Sequence, residues 1–557
     1  MGSVSILPKE LLIILQLLVL LSLSKSIVKS SSTFSRNDDS IDNGAGQSTE
    51  QFHHYHRELP RKLKSYHGDY KQRSKLIGQE DILDARGLNL DSTVSSDGNG
   101  FEAELPTKRS EPAKVNTRYE PTWQSLDTRP LPQWYEDAKF GIFVHWGVFS
   151  VPAYSSEWLW WHWKGADIYP DIVKYMDENF PGKSYQDLAS ELTTKNFNAT
   201  DFAKVVEDSG AKYLVFTSKH HEGFTNWPSN DSWNWNAVDL GPKRDIVREL
   251  QTAFTQRDKV KFGLYFSLYE WFNPWYLQDK ENKFKTNRFV REKVTPQLRE
   301  LVNKYKPYYI WSDGDWETTS DYWNSTSFLA WLYNDSPLKD EVLVNDRWGQ
   351  DAMCKHGDVK TCADRYQPGK KVPYKWENAM TIDKESWGYR HNANISSYYT
   401  TAELIKTLIQ TVSYGGNLLM NIGPTKDMLI MPIFQDRLRG MGEWLRMNGE
   451  AIYGTRQWKR QQEVDDKGGK REIWYTNKVK DVYVLIVDWP EDDYLILREP
   501  RYENEAAVKV TLLGSNQEIT WAKLDEGGLG MKINIGKIHL GKMVRQEAWV
   551  FKLVGFE

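Results

Sequence analysis

Side chains able to do acid–base or binding chemistry follow closely on four short apolar runs of the sequence. The runs and the side chains after them are 140–144 with His145, 213–217 with His220 and His221, 308–311 with Asp313, and 342–344 with Arg347. Carboxylates serve as nucleophiles or general acids, while imidazole and guanidinium groups hydrogen-bond hydroxyls and negative charge. The repeated pattern predicts one site assembled from distant parts of the chain.

The elements that must position these side chains are parallel strands separated by helices. Two further apolar runs lie at 262–268 and 417–422, and the segments 400–412 and 434–447 have the amphipathic pattern of helices. Strands that alternate with helices pair in parallel, and their carboxyl ends meet on one face. We therefore expect an α/β fold, a (β/α)8-like TIM barrel over residues 121–455, with the polar clusters at one end.

The pattern changes at about residue 456 to short strands separated by turn residues. The runs lie at 472–476, 482–487, 508–512 and 548–552. Such spacing is typical of an all-β module. We expect a C-terminal β-sandwich over residues 456–557.

Each polar cluster also has an ordinary structural explanation. His220 and His221 suit a core histidine and its solvated neighbour, and they do not form the helical His-Glu-x-x-His zinc pattern. Asp313 and Asp315 flank a glycine in a sequence common in turns. Glu157 stands in a tryptophan-rich stretch that suits loop packing. It is the joint occurrence of the clusters that favours function.

The composition argues against some classes of protein. The 557 residues carry a formal net charge of -4, which gives no electrostatic reason to bind nucleic acid or an anionic membrane. The chain also contains 25 Trp and 29 Tyr, whose rings pack on the C–H faces of sugars as well as in cores.

The N-terminal residues have the pattern of a targeting segment. The mostly apolar run 11–23 predicts a cleaved secretory signal peptide over residues 1–26, with a signal anchor as the alternative. The polar stretch 27–120 predicts a disordered leader. His53, His54 and His56 lie in that leader without partner ligands, so chance explains them better than a metal site. No later run is long enough to span a bilayer, so we expect no membrane association after signal removal.

In the secretory pathway, asparagine sequons can be glycosylated and cysteines can form disulfides. The expected glycosylation sites are Asn198, Asn230, Asn324 and Asn394. The sequon at Asn334 is poorer, because Pro337 follows it. Cys354 and Cys362 are close enough to form a disulfide, and two ligands are too few for a structural zinc site.

Several long segments resemble glycoside hydrolase family 29, the α-L-fucosidases, and among them the animal lysosomal type. The matching segments are 134–150 (WYEDAKFGIFVHWGVFS), 156–163 (SEWLWWHW), 211–228 (AKYLVFTSKHHEGFTNWP), 311–316 (WSDGDW), 343–350 (LVNDRWGQ) and 415–424 (GGNLLMNIGP). The resemblance implies a barrel followed by a β-sandwich, and a retaining mechanism through a covalent fucosyl-enzyme. Asp313, in WSDGDW, occupies the family's nucleophile position.

The acid/base that this mechanism needs has two candidates in the sequence. Asp364 lies just beyond Cys362, where the family's acid/base loop is expected. Glu377 follows Trp376, whose burial would raise the pKa of the carboxyl group and keep it protonated. Glu377 equally suits a buried structural carboxylate paired with an arginine. We favour Asp364 and keep Glu377 as the alternative.

The resemblance also implies a fucose-binding set. Its members are His145, Glu157, Trp158, His220, His221, Tyr265, Trp311 and Arg347. Such a pocket hydrogen-bonds the sugar hydroxyls and discriminates strongly, because a missing partner leaves a buried group unsatisfied. No cofactor and no metal is expected. The expected partners are fucosylated glycans, the expected compartment is the lysosome or the extracellular space, and family members often form tetramers.

Three other functions remain open from the sequence alone. One is a catalytically inactive fucose-binding protein, which the intact motif around Asp313 disfavours. Another is hydrolysis of a different sugar, such as a galactoside. The third is transfer of fucose to other sugars in place of hydrolysis.

Overall fold

The computed structural model describes residues 118–464, 472–502, 504–524, 529–543 and 547–556. Its first part is built on seven parallel strands. They are β1 Phe140–Val144, β2 Tyr213–Lys219, β3 Lys261–Ser267, β4 Tyr309–Asp313, β5 Leu343–Val344, β6 Glu377–Thr381 and β7 Asn417–Ile422. Their order in the sheet is β5-β4-β3-β2-β1-β7-β6. The predicted α/β class and TIM-like architecture are confirmed.

Helices connect the strands and cover the outside of the sheet. They are α1 Trp123–Leu126, α2 Gln133–Ala138, α3 Leu159–Lys164, α4 Pro170–Asn179, α5 Tyr185–Leu188, α6 Ala199–Asp208, α7 Ile246–Arg257, α8 Pro274–Glu281, α9 Thr295–Tyr305, α10 Ser320–Trp323, α11 Ser325–Asp335, α12 Thr401–Ser413 and α13 Pro432–Asn448. Local sequence sets several of their starts. A capping box between Thr400 and Glu403 begins α12, and Asn273 caps α8.

A short segment closes the gap between the two edge strands of the sheet. The amide of Val359 donates to the carbonyl of Val344 in β5 at 3.3 Å. On the other side, Lys360 forms a parallel bridge with Trp376, and its carbonyl accepts from the amide of Glu377 in β6 at 3.0 Å. The eighth position of the barrel is therefore held by one bridged residue pair instead of a full strand.

The apolar runs of the sequence correspond to six of the seven strands, and β6 has no such run. Its residues are ENAMT, and Glu377, Asn378 and Thr381 are all buried. The strand is polar because its side chains bond to other buried groups of the barrel, so hydrophobicity does not reveal it.

The C-terminal part consists of antiparallel strands in two sheets. The strands are β8 Gln462–Val464, β9 Glu472–Lys478, β10 Asp481–Ile486, β11 Tyr494–Arg501, β12 Lys509–Leu512, β13 Trp521–Lys523, β14 Leu529–Asn534 and β15 Trp549–Val554. One sheet has the order β12-β15-β10-β9-β8 and the other β11-β14-β13. Both contribute to one apolar core, with Val484 and Phe551 from the first sheet and Leu497 and Met531 from the second. This is the two-layer packing expected of the C-terminal module.

The C-terminal sheets pack against the last helices of the barrel. The indole of Trp444 in α13 donates to the carbonyl of Ala548 at 2.9 Å. Near the end of the same helix, Thr476 in β9 donates to the carbonyl of Ala451 at 2.8 Å. The module therefore supports the outer helical layer, away from the interior of the sheet.

Several predictions concern residues that the structure does not describe. The signal peptide at 1–26, the leader up to residue 117 and His53, His54 and His56 lie outside the described residues. Among the residues that are described, no helix is long and apolar enough to cross a membrane.

The packing of α13 on α6 depends on a glycine. A Cβ at Gly442 would lie 1.8 Å from the carbonyl oxygen of Asp208. Gly442→Ala must push the helices apart, so we expect the free energy of unfolding to fall by about 1–3 kcal/mol in urea titrations. Gly541→Ala is the control, since its Cβ would meet no described atom within 4 Å. Equal losses in the two variants would contradict this packing.

Candidate active site

Asp313 is the last residue of β4 and projects from the carboxyl end of the strand. Its Oδ2 accepts a hydrogen bond from the hydroxyl of Tyr265 at 2.8 Å, and its Oδ1 accepts from Nη1 of Arg347 at 3.0 Å. The Nε2 atom of His221 lies 3.6 Å from Oδ2. The side chain is 12% exposed. Both oxygens are thus oriented by donors, while one flank remains open.

Arg347 joins Asp313 to the second carboxylate of the site. Its Nη2 donates to Oδ1 of Asp364 at 2.6 Å, and its Nε donates to Oγ1 of Thr361 at 3.1 Å. The guanidinium lies over the ring of Trp311, 4.6 Å from the centroid. A single guanidinium group therefore bridges the carboxylates of Asp313 and Asp364. Asp364 is the more open of the two, with a side chain 42% exposed.

A disulfide-bonded loop carries Asp364 to this place. Cys354 and Cys362 form the disulfide, which confirms that prediction. Oδ2 of Asp346 accepts from the amides of both cysteines at 2.8 and 3.1 Å, and its Oδ1 accepts from Thr361 at 2.6 Å. The same carboxylate therefore secures the loop and orients the hydroxyl that receives Arg347.

Three histidines line the carboxyl ends of β1 and β2, each with its Nδ1 bound to a protein acceptor. Nδ1 of His145 lies 2.8 Å from Oδ1 of Asn421, and that of His220 lies 3.1 Å from Glu222. Nδ1 of His221 lies 2.7 Å from the hydroxyl of Ser267, which itself donates to a main-chain carbonyl. These partners assign the proton to Nδ1 in each ring. In a neutral ring, Nε2 is then the unprotonated nitrogen.

Burial keeps two of these rings neutral. Desolvation, with the nearby His220 as second cause, lowers the pKa of both His145 and His221 well below the ordinary value. A neutral imidazole with Nδ1 protonated accepts a hydrogen bond at Nε2. The wall of the site therefore offers acceptors to hydroxyl groups without adding positive charge.

Glu157 ties together the loops that follow β1 and β6. Its Oε2 accepts from the amides of Trp387 and Gly388 at 2.9 and 3.0 Å. Beside it, the ring of Trp158 contacts His221 edge to face at 5.3 Å and lies near Trp316. The Glu157 carboxylate and the Trp158 ring are thus in the same neighbourhood as the histidines, as the sequence predicts.

Glu377, the alternative acid/base, lies elsewhere. It is the first residue of β6, fully buried on the floor of the barrel. It accepts hydrogen bonds from the hydroxyls of Tyr135, Tyr213 and Tyr309 at 2.7, 2.8 and 3.0 Å, and from the indole of Trp311 at 3.0 Å. Burial raises the pKa of this carboxyl group, and the hydrogen bonds oppose that rise.

Trp311 therefore lies between Glu377 and the site. Its indole nitrogen is bound to Glu377, its ring supports the guanidinium of Arg347, and it is almost fully buried. The structure does not bring Glu377 to Asp313. It places Trp311 beneath the arginine, where the ring acts on the site through Arg347.

Sequence reasoning missed two side chains of the site. The ring of Trp387 lies 5.2 Å from that of His145, on the loop after the polar strand β6. Asn421, at the end of β7, holds His145 and donates to the carbonyl of Trp387 at 2.7 Å. The apolar run 417–422, which contains Asn421, was a usable signal, because similar runs mark the other strands. Trp387 follows no apolar run, so no sequence signal pointed to it.

Two carboxylates on one guanidinium, beside neutral imidazoles and aromatic rings at the mouth of a (β/α) barrel, are the arrangement expected of a glycoside hydrolase. The family model described as alpha-L-fucosidase matches residues 107–450, and the alpha-L-fucosidase C-terminal domain matches 467–554. The chain belongs to the alpha-L-fucosidase family.

Individual relatives agree with this assignment. The alpha-L-fucosidase of Branchiostoma floridae is 51% identical over 439 residues, which cover 79% of this chain and 96% of the relative. The plasma alpha-L-fucosidase of Homo sapiens is 52% identical over 431 residues, 77% of this chain and 91% of the relative. The structure of Thermotoga maritima alpha-fucosidase with a mechanism-based inhibitor aligns with TM-score 0.66 and 30% identity, over 78% of this chain and 100% of that one. The predicted function, retaining α-L-fucosidase, is confirmed.

Asp315 is a buried carboxyl group next to the site whose ionisation the structure opposes. Its Oδ2 accepts from the amide of Gly349 at 3.0 Å, whereas Oδ1 has no hydrogen-bond partner among the described residues. Burial raises its pKa to about 7, against the opposing effects of Arg347 and the Gly349 amide. The unfolded chain ionises this group near its ordinary value, so the native state loses stability as pH rises towards 7.

Asp315→Asn removes this titration. We expect the free energy of unfolding of the variant, relative to wild type, to increase between pH 4 and pH 7 by on the order of 2–4 kcal/mol. Urea titrations of both proteins at several pH values measure the difference. A difference that is constant with pH would contradict the raised pKa.

Proposed function

We propose that Asp313 and Asp364 are the nucleophile and the acid/base of a two-step hydrolysis of terminal α-L-fucosides. The observation that supports this most is Arg347, which holds both carboxylates on one guanidinium. Retaining glycosidases need carboxyl groups about 5–5.5 Å apart, close enough for a carboxylate to reach the anomeric carbon. A fixed bridge of guanidinium size suits this spacing.

In the first step, Asp313 attacks the anomeric carbon of fucose as the bond to the leaving oxygen breaks. Asp364 gives its proton to that oxygen, and a fucosyl ester of Asp313 forms. In the second step, Asp364 takes a proton from water, which displaces Asp313 from the same carbon. Two inversions return fucose with its original configuration. The greater exposure of Asp364 fits a group that meets leaving group and water.

The remaining side chains bind the sugar. The Nε2 atoms of His145 and His221 accept hydrogen bonds from fucose hydroxyls, and His220 and Glu157 complete the polar wall. The partly exposed rings of Trp158, Trp316 and Trp387 provide apolar surface for the methyl group and the C–H face. Tyr265 keeps Asp313 aimed at the anomeric carbon.

The substrates are fucosylated glycans, and we propose that the enzyme meets them in the lysosome or outside the cell. Two relatives are plasma and tissue alpha-L-fucosidases. The asparagines of the four expected sequons are exposed, which suits glycosylation in the secretory pathway. The amide of Asn334 is instead bonded to the main chain of Tyr119. The tetramer stays a prediction.

Asp313→Gly tests the nucleophile. We expect its turnover of 4-nitrophenyl α-L-fucoside to fall at least ~10³-fold, because the covalent route is lost. Added azide then attacks from the vacated side and releases β-L-fucosyl azide, which NMR identifies. Azide should leave wild-type turnover unchanged. An α-configured azide, or a variant that stays active without azide, would reject Asp313.

Asp364→Gly tests the acid/base with a different signature. We expect kcat/KM for methyl α-L-fucoside to fall ~10²–10⁴-fold, because its methoxide leaving group needs a proton. For an activated aryl fucoside, whose phenolate leaves without a proton, we expect a much smaller loss. Azide attacks the fucosyl ester here, so the product is α-L-fucosyl azide. Glu377→Gln is the control, and we expect azide to leave its turnover unchanged. Azide rescue of Glu377→Gln but not of Asp364→Gly would reverse the assignment.

A further inference from the structure

A cleft of about 290 Å³ lies beside the active site, lined by polar and aromatic side chains. The lining residues that matter are Tyr154, His162, Tyr169, Asp171, Glu385 and Arg390. We call it the Tyr169 cleft. Its size is near the lower end of ligand pockets and leaves room for a sugar ring. None of its side chains takes part in the proposed bond-breaking chemistry.

The Tyr169 cleft opens from the same two loops that form one wall of the active site. Residues 154–171 follow β1 and residues 385–390 follow β6, so both segments lie at the carboxyl ends of the parallel strands. Glu157 joins the two loops through its bonds to the amides of Trp387 and Gly388. The cleft and the fucose pocket are therefore built from the same two cross-linked loops.

The cleft also lies on the flank of the pocket that carries Asp364. The next residue, Arg365, donates to the hydroxyl of Thr381 at 2.7 Å and to the carbonyl of Lys384 at 3.3 Å. Its guanidinium is 5.8 Å from the ring centroid of Trp387. The loop that contributes Glu385 to the cleft is thus bonded to the residue that follows the proposed acid/base.

The aromatic side chains of the cleft are already ordered for stacking. Tyr169 is 39% exposed, and its ring stacks on His162 with centroids 4.0 Å apart. Tyr154 stacks on Tyr175, also at 4.0 Å. A ring held this way by its neighbour loses little conformational freedom when a sugar packs on it.

The charges of the cleft favour a neutral ligand. Arg390 is bonded to both oxygens of Asp383 at 2.8 Å and to Glu385 at 2.6 Å, so its charge is already balanced. Asp171 and Glu385 then provide carboxylate acceptors for hydroxyl groups. An anionic sugar would be repelled by the same carboxylates.

We propose that the Tyr169 cleft binds a neutral sugar residue of the leaving group, next to the fucose that is removed. This rests on the proposed chemistry at Asp313 and Asp364. The cleft contributes binding energy for natural glycans and none for fucosides with a small leaving group. It thereby determines which fucosylated glycans the enzyme prefers.

The test compares two substrates whose leaving groups are both alkoxides, an α-L-fucosyl lactose and methyl α-L-fucoside. Tyr169→Ala is expected to lower kcat/KM for the fucosyl lactose about tenfold, as loss of a stacked ring implies, and to leave methyl α-L-fucoside within about twofold. Asp171→Asn should act in the same direction, and Tyr169→Phe, which keeps the ring, should restore activity on the fucosyl lactose.

Ile168→Ala is the matched control, because Ile168 is 55% exposed, adjacent in sequence and outside the cleft. It should change neither substrate. Equal losses on both substrates, or no loss on the fucosyl lactose in Tyr169→Ala and Asp171→Asn, would overturn the proposal. Failure of the proposed chemistry is separate, since it would appear in the azide products of Asp313→Gly and Asp364→Gly and not in the ratio of the two substrates for the Tyr169 variants.

Discussion

The active site depends on one buried arginine, Arg347, which fixes the positions of two carboxylates relative to each other. Arg347 bonds Asp313 through one nitrogen and Asp364 through another, so it supplies the positive charge and the two directed donors that hold both groups in place. A lysine would offer a point charge without the planar fork, so it would not fix the spacing. The surrounding loop serves this arginine, because Asp346 binds the disulfide segment and orients the hydroxyl that receives Nε of Arg347.

Beneath the arginine, a second buried carboxylate keeps the floor of the barrel rigid. Glu377 accepts from three tyrosine hydroxyls and the Trp311 indole, which offset part of the cost of removing a carboxyl group from water. Trp311 is therefore held at its nitrogen from below while its face carries Arg347. A substitution at Glu377 should therefore affect Arg347 through the ring of Trp311. Glu377 thus lies beneath Trp311, in the position of a buried structural carboxylate.

The sequence predicted the parts of the structure that hydrophobicity encodes. Apolar runs identified six strands, and the rule that parallel strands share a carboxyl face brought Asp313, Arg347 and the histidines together. It could not identify β6, whose side chains are polar because they bond to buried partners, nor the single bridge at Lys360 that replaces an eighth strand. Trp387 was missed for the same reason, since it follows β6. When buried polar side chains bond to one another inside a barrel, hydrophobicity no longer distinguishes buried residues from exposed ones.

Under the two proposals above, catalysis and recognition of the rest of the glycan come from different loops. The carboxylates stand on β4 and on the disulfide loop between β5 and β6, whereas the Tyr169 cleft is built by the loops after β1 and β6. The two groups meet where Arg365 packs on Trp387. The cleft loops lie at the surface, where substitutions cost little stability, while the carboxylates are fixed by buried bonds. Glycan preference can therefore change by substitution around Tyr169 without moving the pair held by Arg347.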